Sequence, residues 1–142
     1  GELTARENIY LNGALLGHKK AFMDQHFDEI IEFAELQDFV DVPLKNFSSG
    51  MAARLGFAVA TIVKPEILIV DEVLAVGDAA FQEKCKQRME KMLAGGTTLL
   101  FVSHSIEQVK ELCPNVIWID KGYVKACGRA ENVIPLYDGH RE

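Results

Sequence analysis

Cysteine is scarce in this 142-residue chain and shows no pattern. Cys85, Cys113 and Cys127 are odd in number and widely separated. That excludes a disulfide framework and a cysteine-based metal site, and makes a reducing cytosol the simplest compartment. Positive charge is also in deficit. Fifteen Lys and Arg against 21 Asp and Glu give a net charge of −6, so neither nucleic acid nor an anionic membrane surface is expected as a bulk partner. Long apolar runs are missing. The longest, Leu55 to Val63, stops at Lys64-Pro65, far short of the roughly 20 residues that a membrane-spanning helix needs. The opening residues lack the pattern of a signal peptide, and there are no internal repeats. What remains is a soluble protein with enough apolar residues, 49% of the chain, for one packed domain that could dock on a membrane protein.

The first third reads as helical. Thr4-Ala5-Arg6-Glu7 has the form of a capping box. Ile9, Leu11, Leu15 and Leu16 follow at helical spacing, and Gly17 is a natural stop. A second helix is expected from about Lys19 to Leu36, with Phe22, Phe27, Ile30, Ile31, Phe33, Ala34 and Leu36 on its apolar positions. Pro43 disfavours helix at Val42, so residues 38–43 form a connector. Residues 1–46 are therefore expected to be a helical subdomain without strands, and residues 47–142 a separate functional division.

Phe47-Ser48-Ser49-Gly50-Met51 precedes a run, residues 52–63, that is apolar nearly all round and reads as a buried helix. Ser48 or Ser49 is a natural N-cap. Small residues with exposed amides at a helix start also make an anion site, although a simple cap is the commoner use. Ile67-Leu68-Ile69-Val70 then runs straight into Asp71-Glu72. A run so short and so apolar fits a strand buried on both faces, as in a parallel sheet. The two carboxylates must sit where the strand emerges, which in open α/β sheets is where ligands bind.

After a loop with a turn at Gly77-Asp78, Asp78 can cap a helix running from Ala79 to about Leu93. Residues 97–102 form a second strand ending at Ser103-His104. A helix from about Ser105 to Leu112 follows. Val116 to Ala126 reads as a β-hairpin turning at Lys121-Gly122, and the tail from Arg129 is helical until it frays near Tyr137.

Each element alone is weak; their order and spacing are not. Gly50 lies 21 positions before Asp71, and His104 lies 33 after it. In this the sequence resembles the ATP-binding subunit of an ABC transporter over essentially its whole length. Phe47 to Met51 is similar to the signature motif, Ile67 to Glu72 to the Walker B strand with its catalytic Glu, Val73 to Asp78 to the D-loop, and His104 to the switch His. The Ser-Ser-Gly-Met form of the signature, the run Asp71 to Asp78, and the opening Glu2 to Gly13 resemble the branch that exports polysaccharides such as O-antigen and teichoic acid.

The resemblance implies an α/β fold of the P-loop NTPase type: a helical subdomain, then the C-terminal half of the parallel-sheet core and a terminal hairpin. It implies ATP and Mg²⁺ as ligands. Asp71 would hold Mg²⁺, Glu72 would orient or deprotonate the attacking water, and His104 would bond the γ-phosphate. Ser48, Ser49, Gly50 and Met51 would face a nucleotide held by a second copy of the subunit in a head-to-tail dimer, with Asp78 at that interface. The helical subdomain would contact a transmembrane permease at the inner face of the cell membrane.

The sequence departs from the pattern in two ways. The signature has Ser49 where Gly is usual and Met51 where Gln is usual, a form that matches the polysaccharide branch. No G-x-x-x-x-G-K-[ST] phosphate loop occurs, and no Q-loop. The chain is therefore expected to be a C-terminal fragment that does not hydrolyse ATP alone and leaves apolar sheet faces uncovered. Competing readings are a non-hydrolysing interaction module, which the missing phosphate loop favours and the trio Asp71, Glu72 and His104 opposes, and an ABC-type ATPase of DNA repair or chromosome maintenance, which the lack of heptads and of a basic face opposes.

Overall fold

The computed structural model describes residues 2–71 and 78–141. They form two compact units, one of residues 2–68 and 78–98 and one of residues 69–71 and 99–141.

The first unit is built on helices. In α1, Ala5–Leu15, the capping box is complete: Thr4 Oγ1 accepts from Glu7 N at 3.2 Å, and Glu7 Oε2 accepts from Thr4 N at 3.1 Å. Two further amides of the first turn are met from outside the helix, Ala5 N by Val42 O and Arg6 N by Val40 O. The connector that Pro43 shapes thus closes the open end of α1. Ala5, Ile9 and Gly13 face α2, Lys20–Ala34. A Cβ on Gly13 would lie 2.7 Å from Met23 Cγ, so glycine is what lets the two helices approach. Met23, absent from the expected apolar set, is a core residue 1% exposed.

Helix α2 ends at Glu35, whose φ of 59° is left-handed. Leu36 N then reaches back to Ile31 O at 3.1 Å, and Leu36 buries its side chain in the core, the hydrophobic contact that accompanies such a cap. Helix α3, Ser49–Ala60, adds Leu55, Ala58 and Val59 to that core. It is not buried all round, as its apolar sequence suggests. Ala52, Gly56 and Ala60 form an exposed face, because their small side chains have little area to hide. The helix also stops at Thr61, three residues short of Lys64, where Thr61 Oγ1 donates to Phe57 O at 2.7 Å.

Helix α4, Ala79–Ala94, buries Phe81, Cys85, Met89 and Met92 along one stripe. Burial pushes the Cys85 thiol from its ordinary 9.0 up to about 12, overriding the opposite pull of Arg88, Lys84 and Arg54. At pH 8 a thiol reagent should therefore label exposed Cys127 and spare Cys85 in the native protein; mass spectrometry showing equal labelling would contradict this packing. The sign of the linkage follows. Between about pH 9 and 12 only the unfolded thiol has lost its proton, so this contribution is whole below pH 9 and falls as pH rises through that window.

Strands β1, Ile67–Asp71, and β2, Thr98–Val102, pair in a two-stranded sheet. Thr98 N donates to Glu66 O at 2.8 Å, so the strands start side by side and run the same way. The expectation of burial on both faces of β1 does not hold. Leu68 and Val70 are buried, but Ile67 is 60% and Ile69 69% exposed. Side chains alternate across a strand, and the described residues cover one face only. Leu100 and Val102 are exposed on β2 in the same way.

In the second unit, α5, Ile106–Leu112, is capped by Ser105 and closed before Pro114. Strands β3, Asn115–Asp120, and β4, Tyr123–Arg129, pair antiparallel with a register shift between Trp118 and Ile119. The hairpin turns through Lys121 at φ 49° and Gly122 at φ 82°, the two positive angles that a two-residue turn of this hand requires. Helix α6, Ala130–Arg141, covers the hairpin with Val133 and Ile134. It continues past Tyr137 instead of fraying there, because Tyr137 and His140 pack against Trp118, with ring centroids 5.8 and 5.2 Å away.

Candidate functional site

The expected site residues fall in both units. In the first, Ser48 is the N-cap of α3. Its Oγ accepts from Met51 N at 3.1 Å, and its carbonyl accepts from Ala52 N at 3.0 Å. The cap thus uses the Met51 amide. The first-turn amides of Ser49 and Gly50, which have no acceptor four residues back within the helix, are the donors available to an anion there. The Ser48 hydroxyl keeps its proton to donate.

Asp78 is the N-cap of α4, with Oδ1 accepting from Phe81 N at 2.8 Å. Its Oδ2 lies 3.8 Å from Arg54 Nη2. Oδ1 is thus committed to the cap, while Oδ2 faces the Arg54 guanidinium at ion-pair distance. Arg54 is a residue the sequence reading passed over. The signal was there: a single charge in an otherwise apolar helix needs a partner. Arg88 is similarly built in. It donates to Thr61 Oγ1 at 3.1 Å and stacks 3.6 Å over the Phe33 ring, and burial lowers its pKa.

In the second unit, Asp71 is the last residue of β1 and is exposed. His104 follows the end of β2 by two positions. Because the strands run the same way, both residues lie at the carboxyl end of this sheet. Glu72 and residues 73–77 of the expected D-loop lie outside the described residues. Among the described residues no cluster of three or more His, Cys, Asp or Glu could cage a metal ion. A strand-end carboxylate such as that of Asp71 is an oxygen ligand of the type Mg²⁺ takes, commonly one or two carboxylates together with waters and substrate phosphates. Among the described residues no helix is long and apolar enough to cross a membrane.

Comparisons with known proteins converge. The family model described as ABC transporter matches residues 1–75. The O-antigen export system ATP-binding protein RfbB of Klebsiella pneumoniae is 52% identical over 96% of this chain and 55% of its own length. The teichoic acids export ATP-binding protein TagH of Listeria monocytogenes serotype 4b is 45% identical over 97% of this chain and 41% of its own. The chain thus spans about half the length of the curated relatives it matches. A solved structure described as the ATP binding subunit of an ABC transporter superposes with a TM-score of 0.84 at 22% identity, over 96% of this chain and 57% of that one; the likeness establishes the α/β fold.

Proposed function

We propose, from the premise that this chain belongs to the ABC transporter family, that it is the signature-bearing half of an ATP-hydrolysing subunit that energises export of a cell-surface polysaccharide through a membrane permease. One observation carries most of the weight. β1 and β2 start from a shared hydrogen bond and run side by side, so the strand that ends in Asp71 and the strand that leads to His104 deliver their ends to one edge. That suits phosphoryl transfer, in which positioning and charge stabilisation do most of the work.

In this reading Asp71 holds Mg²⁺ through water, Glu72 orients or deprotonates the attacking water, and His104 steadies the γ-phosphate. The ion supplies neutralisation of phosphate charge when bound. Ser48, Ser49, Gly50 and Met51 form the signature presented to a nucleotide on a second copy of the subunit, in a head-to-tail dimer with Asp78 at the seam. Residues 1–46 are the helical layer that docks the permease, and residues 47–142 carry the signature helix and half of the ATP-binding core. The subunit then works at the cytoplasmic face of the cell membrane. The sequence similarity to O-antigen and teichoic acid export proteins supports a polysaccharide as cargo.

The sequence holds no G-x-x-x-x-G-K-[ST], so this chain by itself is expected to bind Mg-ATP weakly or not at all. The same sequence within a full-length subunit, assembled with its permease in vesicles, is expected to hydrolyse ATP and move a polysaccharide. Calorimetry giving a low-micromolar Kd for this chain would refute the missing-cradle argument. A full-length subunit without ATP turnover would refute the function.

A further inference from the structure

Arg54 is the one charged side chain on α3, and its guanidinium is shared between two partners. Nη1 lies 3.4 Å from Glu35 Oε2, and Nη2 lies 3.8 Å from Asp78 Oδ2. The group also stands over the Phe81 ring, with Cζ 4.9 Å from the centroid. The Arg54 side chain is 21% exposed, against 47% for Glu35 and 66% for Asp78, which makes it the shielded centre of the group. The other Glu35 oxygen, Oε1, lies 3.6 Å from Lys84 Nζ, and Lys84 in turn donates to Phe33 O at 2.8 Å. Lys84, Glu35, Arg54 and Asp78 thus alternate in sign across three helices of one compact unit. They link the C-terminal cap of α2, the middle of α3 and the first turns of α4.

Half-exposed ion pairs stabilise a fold little, so geometry is what this network can supply. Asp78 is tied to two helices in different ways: Oδ1 accepts from the Phe81 amide, and Oδ2 faces the Arg54 guanidinium as an ion pair at 3.8 Å. Glu35 sits at the residue where α2 reverses into the connector, so a displacement of the end of α2 moves the other partner of the same guanidinium. A lysine carries its three donors on a single nitrogen, so it lacks the rigid planar fork that turns separate nitrogens toward Glu35 and Asp78.

Building on the ATPase reading above, we propose that Arg54 is a positioning residue: it fixes Asp78 against the signature helix and passes movement at the end of α2 to it, so that the helical layer sets the rate of hydrolysis without altering ATP affinity.

The test uses the full-length subunit assembled with its permease, with steady-state ATPase measured for wild type, Arg54→Gln, Arg54→Lys, Asp78→Asn and the Arg54→Gln/Asp78→Asn pair. Arg54→Gln should lower kcat by about tenfold with KM for ATP unchanged, the mark of lost transition-state positioning rather than lost binding. Arg54→Lys keeps the charge but not the fork, and should fall about threefold short of wild type. The double variant should be no slower than the slower single one, because both remove one contact. Should Arg54→Gln fail to fold, the Lys variant carries the test. A Lys variant at the wild-type rate, a rise in KM at unchanged kcat, or losses that multiply in the double variant would each overturn the inference. A wild type without ATP turnover overturns the ATPase reading as well; an active wild type beside an unaffected Lys variant overturns this inference alone.

Discussion

Replacing Glu72 by Gln in a full-length subunit is expected to lower ATP turnover by about 10²- to 10⁴-fold, the range typical for loss of a positioned general base. That is roughly 3–5 kcal/mol added to the barrier. The amide keeps the shape of the carboxylate and can still accept a hydrogen bond, but it has neither the charge nor the proton affinity to activate water. ATP binding should persist, because the groups proposed to contact phosphate and metal (Ser48, Ser49, Gly50, His104 and Asp71) are untouched. The expected signature is therefore a fall in kcat without a matching loss of nucleotide affinity. Equilibrium binding and single-turnover rates, measured on the same preparation, separate the two. Steady-state hydrolysis near the wild-type rate would remove Glu72 from the role assigned to it and return the Asp71-Glu72 pair to an ordinary strand-end turn.

Truncating Ile30 to Ala is expected to destabilise the protein by about 2–5 kcal/mol, the cost of losing buried methylenes and leaving a cavity that neighbours fill only in part. Ile30 is fully buried in the cluster where α1, α2 and α3 meet, with Ile9, Ile31, Leu36 and Leu55 in the same core. Whole domains are stable by only about 5–15 kcal/mol, so the urea midpoint should fall sharply with an unchanged slope. Leu15, which is 75% exposed at the end of α1, provides the control, since its truncation should stay within about 0.5 kcal/mol of wild type. Equal midpoints for the two variants would show that the helical core described above does not hold this part of the protein together.

The sequence was most legible where structure is set by residues a few positions apart. The Thr4–Glu7 capping box, the Ser48 and Asp78 caps, and the turn at Lys121-Gly122 all lie where their residue types place them, because each rests on contacts within one turn of chain. The positions of the proposed site residues in the fold were legible for the same reason: Ser48 and Asp78 start helices and Asp71 ends a strand, and such ends are local features. Reading was poorest where burial decides. Met23 is not among the apolar positions expected of α2, and its burial depends on Gly13 of the neighbouring helix, which has no side chain to keep it out. The tail was expected to fray because nothing in its own residues showed that Trp118 would hold Tyr137 and His140.

By itself, then, the sequence determined which elements form, where they begin, and which polar groups stand at their ends. Tertiary structure alone decided what those ends face. A run such as Ile67 to Val70 is apolar at every position, so nothing in it distinguishes the two buried residues from the two exposed ones; only the elements packed on one side of the sheet do. Arg54 is the sharper case. Its partners lie 19 residues before it and 24 after it. Only the packing of three helices brings them within reach of one guanidinium, because ion pairing depends on separation in space and is blind to separation along the chain.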